Sequence, residues 1–430
     1  MINKTEINCS IHEKGLKNIK AYYSIVENRV HLFISKRYDA PFNIAHLRCK
    51  IRSVKIYCQF LNCRTVAVGS DFDEYLVEEA YIREDEISYK NNKYSKCIFS
   101  LTSDISPFFD TPWDTSHSIL ETNTRTLNFK SRETRYTSIE INENTTLYVN
   151  IGYSQSYSKV KYEALSSVEF TLEFKKATQR ENIFEIINAI TDFFSLFCQK
   201  NLGIWSIAIE TSQDKYVGYY GQKLDEDKRE HFGNLLIESY QLKDCFDIPL
   251  TKWIKKYSKN NIPLELIQDA QKVKDEQLRF ICLTRCLEIY HKENYIIPKS
   301  ARPYLEDLHS FMTDSELSNI TLKQFLAPKQ ITLAHRIYDL ARSLFALIKK
   351  DRLMFGYITV LNRCQQITDT RNYYMHFSDS MGKKAWKTSE LFVINFQLSV
   401  FIKILFLKQV GFSDLSIKSV IVSEKGRFIF

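Results

Sequence analysis

Val168-Glu-Phe-Thr-Leu-Glu-Phe174 is followed, after three residues, by Thr178-Gln-Arg-Glu-Asn-Ile-Phe-Glu-Ile-Ile-Asn-Ala-Ile-Thr-Asp-Phe-Phe-Ser-Leu-Phe197. In the first stretch Val168, Phe170, Leu172 and Phe174 alternate with Glu169, Thr171 and Glu173, the period of two expected of a half-buried antiparallel strand. In the second, Ile183, Phe184, Ile186, Ile187, Ile190, Phe193, Phe194 and Phe197 recur at helical spacing, and Thr178-x-x-Glu181 fits a capping box. A strand passing directly into an amphipathic helix gives the front of the chain an α+β character.

Working upstream, Val30, Leu32 and Ile34 alternate with His31 and Phe33, and Val54, Ile56, Cys58 and Phe60 alternate with Lys55, Tyr57 and Gln59. Further strands are expected at 64–68, 96–101 and 145–153, which together predict a β-rich domain, a sandwich or distorted barrel. Downstream, Asn201 and Gly203 can end the helix, and Ile204 to Ile209 with Trp205 returns to the sheet, closing the first domain near residue 210. Residues 211–262, with a charged helix from Asp225 to Tyr240, read as a connector. From Leu264 the period becomes 3.6, with helices over about 271–292, 334–350 and 390–409, the last ending at Gly411. His335 and Arg336 are expected on the exposed face of the second of these. The expected fold class is thus α+β: a β-rich domain at 1–210, a helical connector at 211–262, and an all-α bundle at 263–430.

Composition narrows the function. With 44% apolar and 13% aromatic residues over 430 positions the chain can bury sizeable cores. Only 11 Gly and 8 Pro occur, and neither a P-loop nor a dinucleotide fingerprint is present, which removes the commonest phosphate-cradling enzymes. The net charge of +8 is unevenly placed. Residues 264–430 carry 24 Lys and Arg against 17 Asp and Glu, a balance of +7, which leaves +1 for the front. A basic domain beside a neutral one is the footprint of a protein whose one domain meets a polyanion. The opening residues have no apolar run of signal-peptide type, and the ten Cys form no Cys-x-x-Cys pair, so a cytoplasmic protein with reduced thiols is expected. Cys9, Cys49, Cys58 and Cys63 could make a four-thiolate zinc site, though their spacing is loose. Cys282 and Cys286 read as core packing. Leu391 to Leu407 is apolar enough to raise the question of a membrane span, but Asn395, Gln397 and Lys403 interrupt it, and a buried core helix is expected. With no H-E-x-x-H arrangement, neither a metal nor a cofactor is expected.

One segment has the residue types for a reaction: Thr370-Arg371-Asn372-Tyr373-Tyr374-Met375-His376-Phe377. Asn372 and His376 are i,i+4 neighbours, and Arg371 can swing its long side chain to the same mouth. A guanidinium beside an imidazole suits metal-free RNA scission: the imidazole moves the proton for attack of a ribose 2′-hydroxyl, and the arginine stabilises charge on the phosphorane. The spacing Arg371-Asn372-x-x-x-His376 resembles the R-(polar)-x(3–5)-H signature of HEPN ribonucleases. The preceding helix Arg279-Phe-Ile-Cys-Leu-Thr-Arg-Cys-Leu-Glu288-Ile-Tyr-His291, the long apolar helix after the motif and the short Gly411-to-Ile417 segment are similar in order to the HEPN domain of ApeA-like bacterial anti-phage proteins. The β-rich front with its Trp205-bearing strand resembles the ApeA N-terminal domain.

That resemblance implies an abortive-infection effector of the bacterial cytoplasm: an endoribonuclease held quiet until a phage-derived trigger is sensed, then cutting cellular RNA, tRNA among the candidates. It implies Arg371 and His376 as the catalytic pair with Asn372 orienting them. The alternatives are a catalytically silent HEPN scaffold for dimerisation or RNA binding, and the toxin of a two-gene pair. Substrate-binding candidates are Tyr373, which could stack on a base, Lys383 and Lys384, which could track a phosphate backbone, and Glu288 and His291, which could line or brace the mouth. A single imidazole, where two proton-transfer groups are wanted, makes the expected active unit a homo-oligomer, at least a dimer. No membrane partner is expected.

Overall fold

The computed structural model describes residues 7–13, 16–26, 29–35, 46–51, 56–68, 72–83, 93–102, 105, 113–119, 125–131, 136–157, 162–197, 202–211, 216–221, 246–257, 262–296, 301–311, 331–345, 347, 360–376 and 385–422. It divides into two compact units: Met1–Ser195 with Leu202–Leu235, and Leu196–Asn201 with Leu236–Phe430.

The first unit is built on an antiparallel sheet. Its strands are β1 (Ile7–Glu13), β2 (Leu16–Val26), β3 (Arg29–Ser35), β4 (His46–Ile51), β5 (Ile56–Val68), β6 (Phe72–Arg83), β7 (Tyr94–Leu101), β10 (Tyr136–Asn142), β11 (Thr145–Tyr157), β12 (Tyr162–Thr178), β13 (Ile204–Thr211) and β14 (Tyr216–Gly221). A separate hairpin pairs β8 (Trp113–Ile119) with β9 (Arg125–Ser131). The large sheet runs β10-β11-β12-β7-β13-β14-β6-β3-β2-β1-β4-β5, and β5 pairs back onto β6. Six strands therefore close into a ring, which removes two sheet edges that would otherwise invite pairing with another chain. Strand β6 is the splice. On one side it pairs with β5 along its length; on the other, residues 72–77 pair with β3 and residues 79–82 with β14.

The deciding stretch behaves as its period dictates. Val168, Phe170, Leu172 and Phe174 are buried while Glu169 and Glu173 are exposed. Phe170 lies in register with Phe99 on β7 and stacks on it at 5.1 Å. The helix α1 (Arg180–Ser195) covers this patch, with Phe194 5.5 Å from Phe170 and Ile183, Ile187 and Ile190 fully buried. Burying each such side chain is worth about 1.5–3 kcal/mol. The capping expectation needs correction: β12 runs through Thr178, whose hydroxyl donates to the Lys176 carbonyl and accepts from Asn144, and the helix opens at Arg180. Strand β14 falls in the stretch read as connector, and the expected helix at 225–240 lies outside the described residues.

The second unit is helical: α2 (Asp247–Tyr257), α3 (Ile262–Lys272), α4 (Glu276–Asn294), α5 (Ala301–Ser310), α6 (Leu333–Arg342), α7 (Val360–His376), α8 (Thr388–Val410) and α9 (Asp414–Val422) among the described residues. Helix α8 is long and apolar enough to cross a membrane, yet 72% of its most apolar window is buried within the protein, as expected of a core helix. Phe406 meets Trp253 of α2 at 5.7 Å and Tyr290 of α4 at 5.0 Å, and the Tyr290 hydroxyl donates to the Leu405 carbonyl. The helix stops at Gly411, whose φ of 95° is left-handed and where a Cβ would meet the Lys252 ammonium at 2.8 Å.

Two expected helices are shorter than their periodicity suggests. The run 271–292 is broken at 273–275, because Asp275 accepts from the Gln277 and Leu278 amides and caps α4. Arg279 then donates to the Ala270 and Val273 carbonyls and so finishes α3. The run 334–350 yields α6 over Leu333–Arg342, continued only as turns to 345 among the described residues. His335 is not on an exposed face: it is 5% exposed and closes a capping box with Thr332.

Helices α4, α5 and α6 share a buried ionic cluster. His291 and Asp339 are both almost wholly buried, with Nε2 3.0 Å from Asp339 Oδ2 and 2.9 Å from the Tyr304 hydroxyl. Tyr304 donates to the same Oδ2 at 2.5 Å, and Arg336 donates to His291 Nδ1 at 3.1 Å, so Nδ1 accepts and Nε2 carries the hydrogen. Arg342 reaches Asp339 Oδ1 at 2.9 Å and also bonds Asp307. Burial raises the Asp339 pKa, but the His291 and Tyr304 hydrogen bonds and the Arg342 charge outweigh it and hold the carboxyl below its usual 3.8, while burial and Asp339 push the Tyr304 phenol up. A depressed carboxyl contributes stability above its unfolded pKa and loses it as pH falls through the folded value. Thermal unfolding followed by circular dichroism should therefore show a loss of stability setting in as the pH falls below about 4. Asp339→Asn should lack that share of the acid loss and should cost about 3 kcal/mol at neutral pH, the low end for stripping a buried ion pair of one partner.

Candidate functional site

The segment 370–376 forms the last two turns of α7, and its inward face is fixed by the residues leading into α8. Trp386 donates its amide to the Thr370 hydroxyl at 3.2 Å, and its carbonyl accepts from the Tyr374 hydroxyl at 2.8 Å. Its indole stands over Arg363 at 5.1 Å and against Phe280 of α4 at 6.1 Å. With Thr370 and Tyr374 turned inward, the helical period turns Arg371, Asn372 and His376 away from that contact.

Arg371 is one-quarter exposed and donates from Nη1 to Asn372 Oδ1 at 3.1 Å, while its Nη2 lies 3.9 Å from Oε2 of Glu288 on α4. Asn372 sits about 100° round the helix from Arg371 and about 40° short of His376. The bond to Asn372 thus draws the guanidinium round the helix toward Asn372, and His376 is the exposed last residue of α7. Glu288 is held by its own helix: Lys292 donates to Oε1 at 2.7 Å and Arg285 to Oε2 at 3.0 Å. Burial raises the Glu288 pKa, yet these two cations more than compensate and keep the carboxyl below the usual range.

The sequence candidates thus separate. Arg371, Asn372 and Glu288 are brought together, and His376 is the exposed last residue of α7. Tyr373 is half-buried and packs edge-on against the buried Tyr374 at 5.1 Å. His291, one turn beyond Glu288 on α4, is wholly buried in the cluster with Asp339 and offers no surface to a substrate; it braces the helix instead. Lys383 and Lys384 lie outside the described residues. Arg285 and Lys292 were missed, although the spacing Arg285-x-x-Glu288-x-x-x-Lys292 places all three on one helical face. Among the described residues no cluster of His, Cys, Asp or Glu could hold a metal ion, and Cys286 is buried, its thiol pKa pushed up by burial. The backbones of Cys49 and Cys58 are register partners on β4 and β5; the side chains of these two, and of Cys9 and Cys63, lie outside the description.

Two family models match the chain. Residues 281–415, from α4 to the start of α9, match the family model described as Apea-like HEPN. Residues 39–253 match the model described as ApeA N-terminal domain 1. No curated protein and no solved structure matches the chain. The two family matches follow one another in the order of the two structural units, and the chain belongs to the ApeA-like proteins, with an ApeA N-terminal domain followed by an Apea-like HEPN domain.

Proposed function

We propose that this protein is a metal-independent endoribonuclease that acts in abortive-infection defence, cutting cellular RNA, with tRNA a candidate target, once a phage-derived trigger is met. The observation that supports the reading is the bond from Arg371 to Asn372 in the last turns of α7, with His376 exposed as that helix's last residue. HEPN domains are in general ribonucleases, and the helical unit is the basic one, at +7 over residues 264–430.

In this reading one imidazole accepts the proton of a ribose 2′-hydroxyl as its oxygen attacks the adjacent phosphorus. The guanidinium of Arg371 carries the charge that builds on the non-bridging oxygens. The bond from phosphorus to the 5′-oxygen breaks, and that oxygen needs a proton. A second copy of α7 across a two-fold axis supplies a second His376 to give it. The products are a 2′,3′-cyclic phosphate and a 5′-hydroxyl. The near-neutral N-terminal unit is a poor match for a polyanion, and we assign it the recognition of the trigger and the restraint of the nuclease.

Cleavage by the purified protein should survive EDTA and leave the cyclic phosphate, read by end-specific ligation of the fragments. Arg371→Ala and His376→Ala should each slow it by roughly 10²–10⁴-fold, the range for losing a proton-transfer or charge-stabilising group, with unchanged circular dichroism; dependence on added metal would sink the assignment. Specific activity should fall on dilution as dimers dissociate, and mixing the two inactive variants gives the complementary measurement. Deleting residues 1–235 should abolish the dependence of toxicity on infection; a truncated chain that still protects cells only when phage is present would refute the sensing role.

A further inference from the structure

Around Glu288 three cations gather on two packed helices: Arg285 and Lys292 from α4 and Arg371 from α7, at 3.0, 2.7 and 3.9 Å from its carboxylate oxygens. One negative charge faces three positive ones, so the cluster keeps an excess of two. The carboxylate is the sheltered member, 17% exposed, whereas Arg285 and Lys292 are 49% and 47% exposed. Exposed i,i+3 and i,i+4 pairs contribute little stability, so stability gives little reason to collect three cations on one acid. What the acid does accomplish is geometric. It draws two long, flexible side chains from one helix toward the arginine of another, and places all three along one edge.

From this arrangement we infer that Arg285 and Lys292 form, with Arg371, a groove for the phosphates of a single-stranded RNA flanking the scissile one, and that Glu288 is its positioning residue. This rests on the nuclease reading above. A guanidinium and an ammonium are the two groups suited to phosphate oxygens, the first as a fork and the second as a point charge. Both keep donors beyond the one bonded to Glu288, because Arg carries five N–H groups and Lys three. Arg371 then serves the reacting phosphate, while the α4 pair holds the strand beside it. No base edge is read by such contacts, so the groove supplies affinity and register without sequence preference.

The test uses the full-length chain carrying His376→Ala, which blocks cleavage, and a fluorescein-labelled single-stranded oligoribonucleotide followed by anisotropy from about 0.05 to 0.3 M salt. Arg285→Ala with Lys292→Ala should weaken binding roughly tenfold near 0.15 M salt and flatten the log–log salt dependence by about 1.4, two contacts at ~0.7 each. Glu288→Gln in the same background should tighten binding, since the cations lose their competitor. In the otherwise native chain Glu288→Gln should lower KM and kcat together, because Arg371 loses its anchor. A merely structural Glu288 would weaken binding instead. Unchanged affinity and salt slope in the double variant, with circular dichroism unaltered, overturns the groove even if the native chain cleaves RNA. Intact RNA with the native chain, alongside a normal salt slope in the His376→Ala form, overturns the nuclease reading and leaves the groove standing.

Discussion

Helix α4 packs against α3, α6, α7 and α8, and this fourfold burial is the constraint from which the helical unit follows. A helix so enclosed keeps only a narrow wet face, around Arg285 and Lys292, so the polar groups on its other sides find partners in neighbours. Asp275 caps its start, Arg279 closes α3, Tyr290 bonds the backbone of α8, His291 bonds Asp339 of α6, and Glu288 faces Arg371 of α7. Each of these bonds fixes the rotation of α4 about its own axis. Since Glu288 and His291 are one turn apart, the buried cluster with Asp339 sets the azimuth from which Glu288 meets Arg371. The arginine is thereby held from two sides, by its own neighbour Asn372 and by a second helix whose orientation is independently locked.

The N-terminal unit solves a different problem. Six of its strands close into a ring and six more extend it from β6, which serves two partners on one side at different points along its length. A strand of 12 residues is long enough for both duties. The near-continuous hydrophobic contact of Phe99, Phe170 and Phe194 ties that extension to α1, so the sheet is covered on the face where its apolar residues point.

Much of this was legible in the sequence, and the failures have common causes. Period two in 168–174 and period 3.6 in 183–197 marked β12 and α1, because each has one wet and one dry side. The ring closure was invisible: which strands pair is decided by long-range register, and only the distorted-barrel alternative hinted at it. The break at 273–275 was missed because α3 and α4 keep similar apolar spacing across it, and the signal lay in polar groups, Asp275 as a cap and Arg279 as a closing side chain. The site divided in the same way. Arg371, Asn372 and His376 were readable because they are local in sequence. His291 and Glu288 share a helix and a charged character, yet one is sealed inside and the other supports the surface. That distinction depends on Asp339 and Tyr304, which lie 48 and 13 residues away from His291.

The order of residues in the motif has a physical reason. An arginine and a histidine five positions apart on a helix emerge about 140° from each other. For the two to face the same side, the arginine must be turned. A short side-chain acceptor at the next position lies at about 100°, between the two, and Asn372 accepts there from Nη1. An aspartate at 372 would make the same bond with a full negative charge, and so would compete with any anion for the guanidinium. The neutral amide orients the arginine without claiming its charge. Glu288, which does carry a charge, stands off at 3.9 Å with its oxygens occupied by Arg285 and Lys292, so it too guides Arg371 while leaving it able to bind an anion.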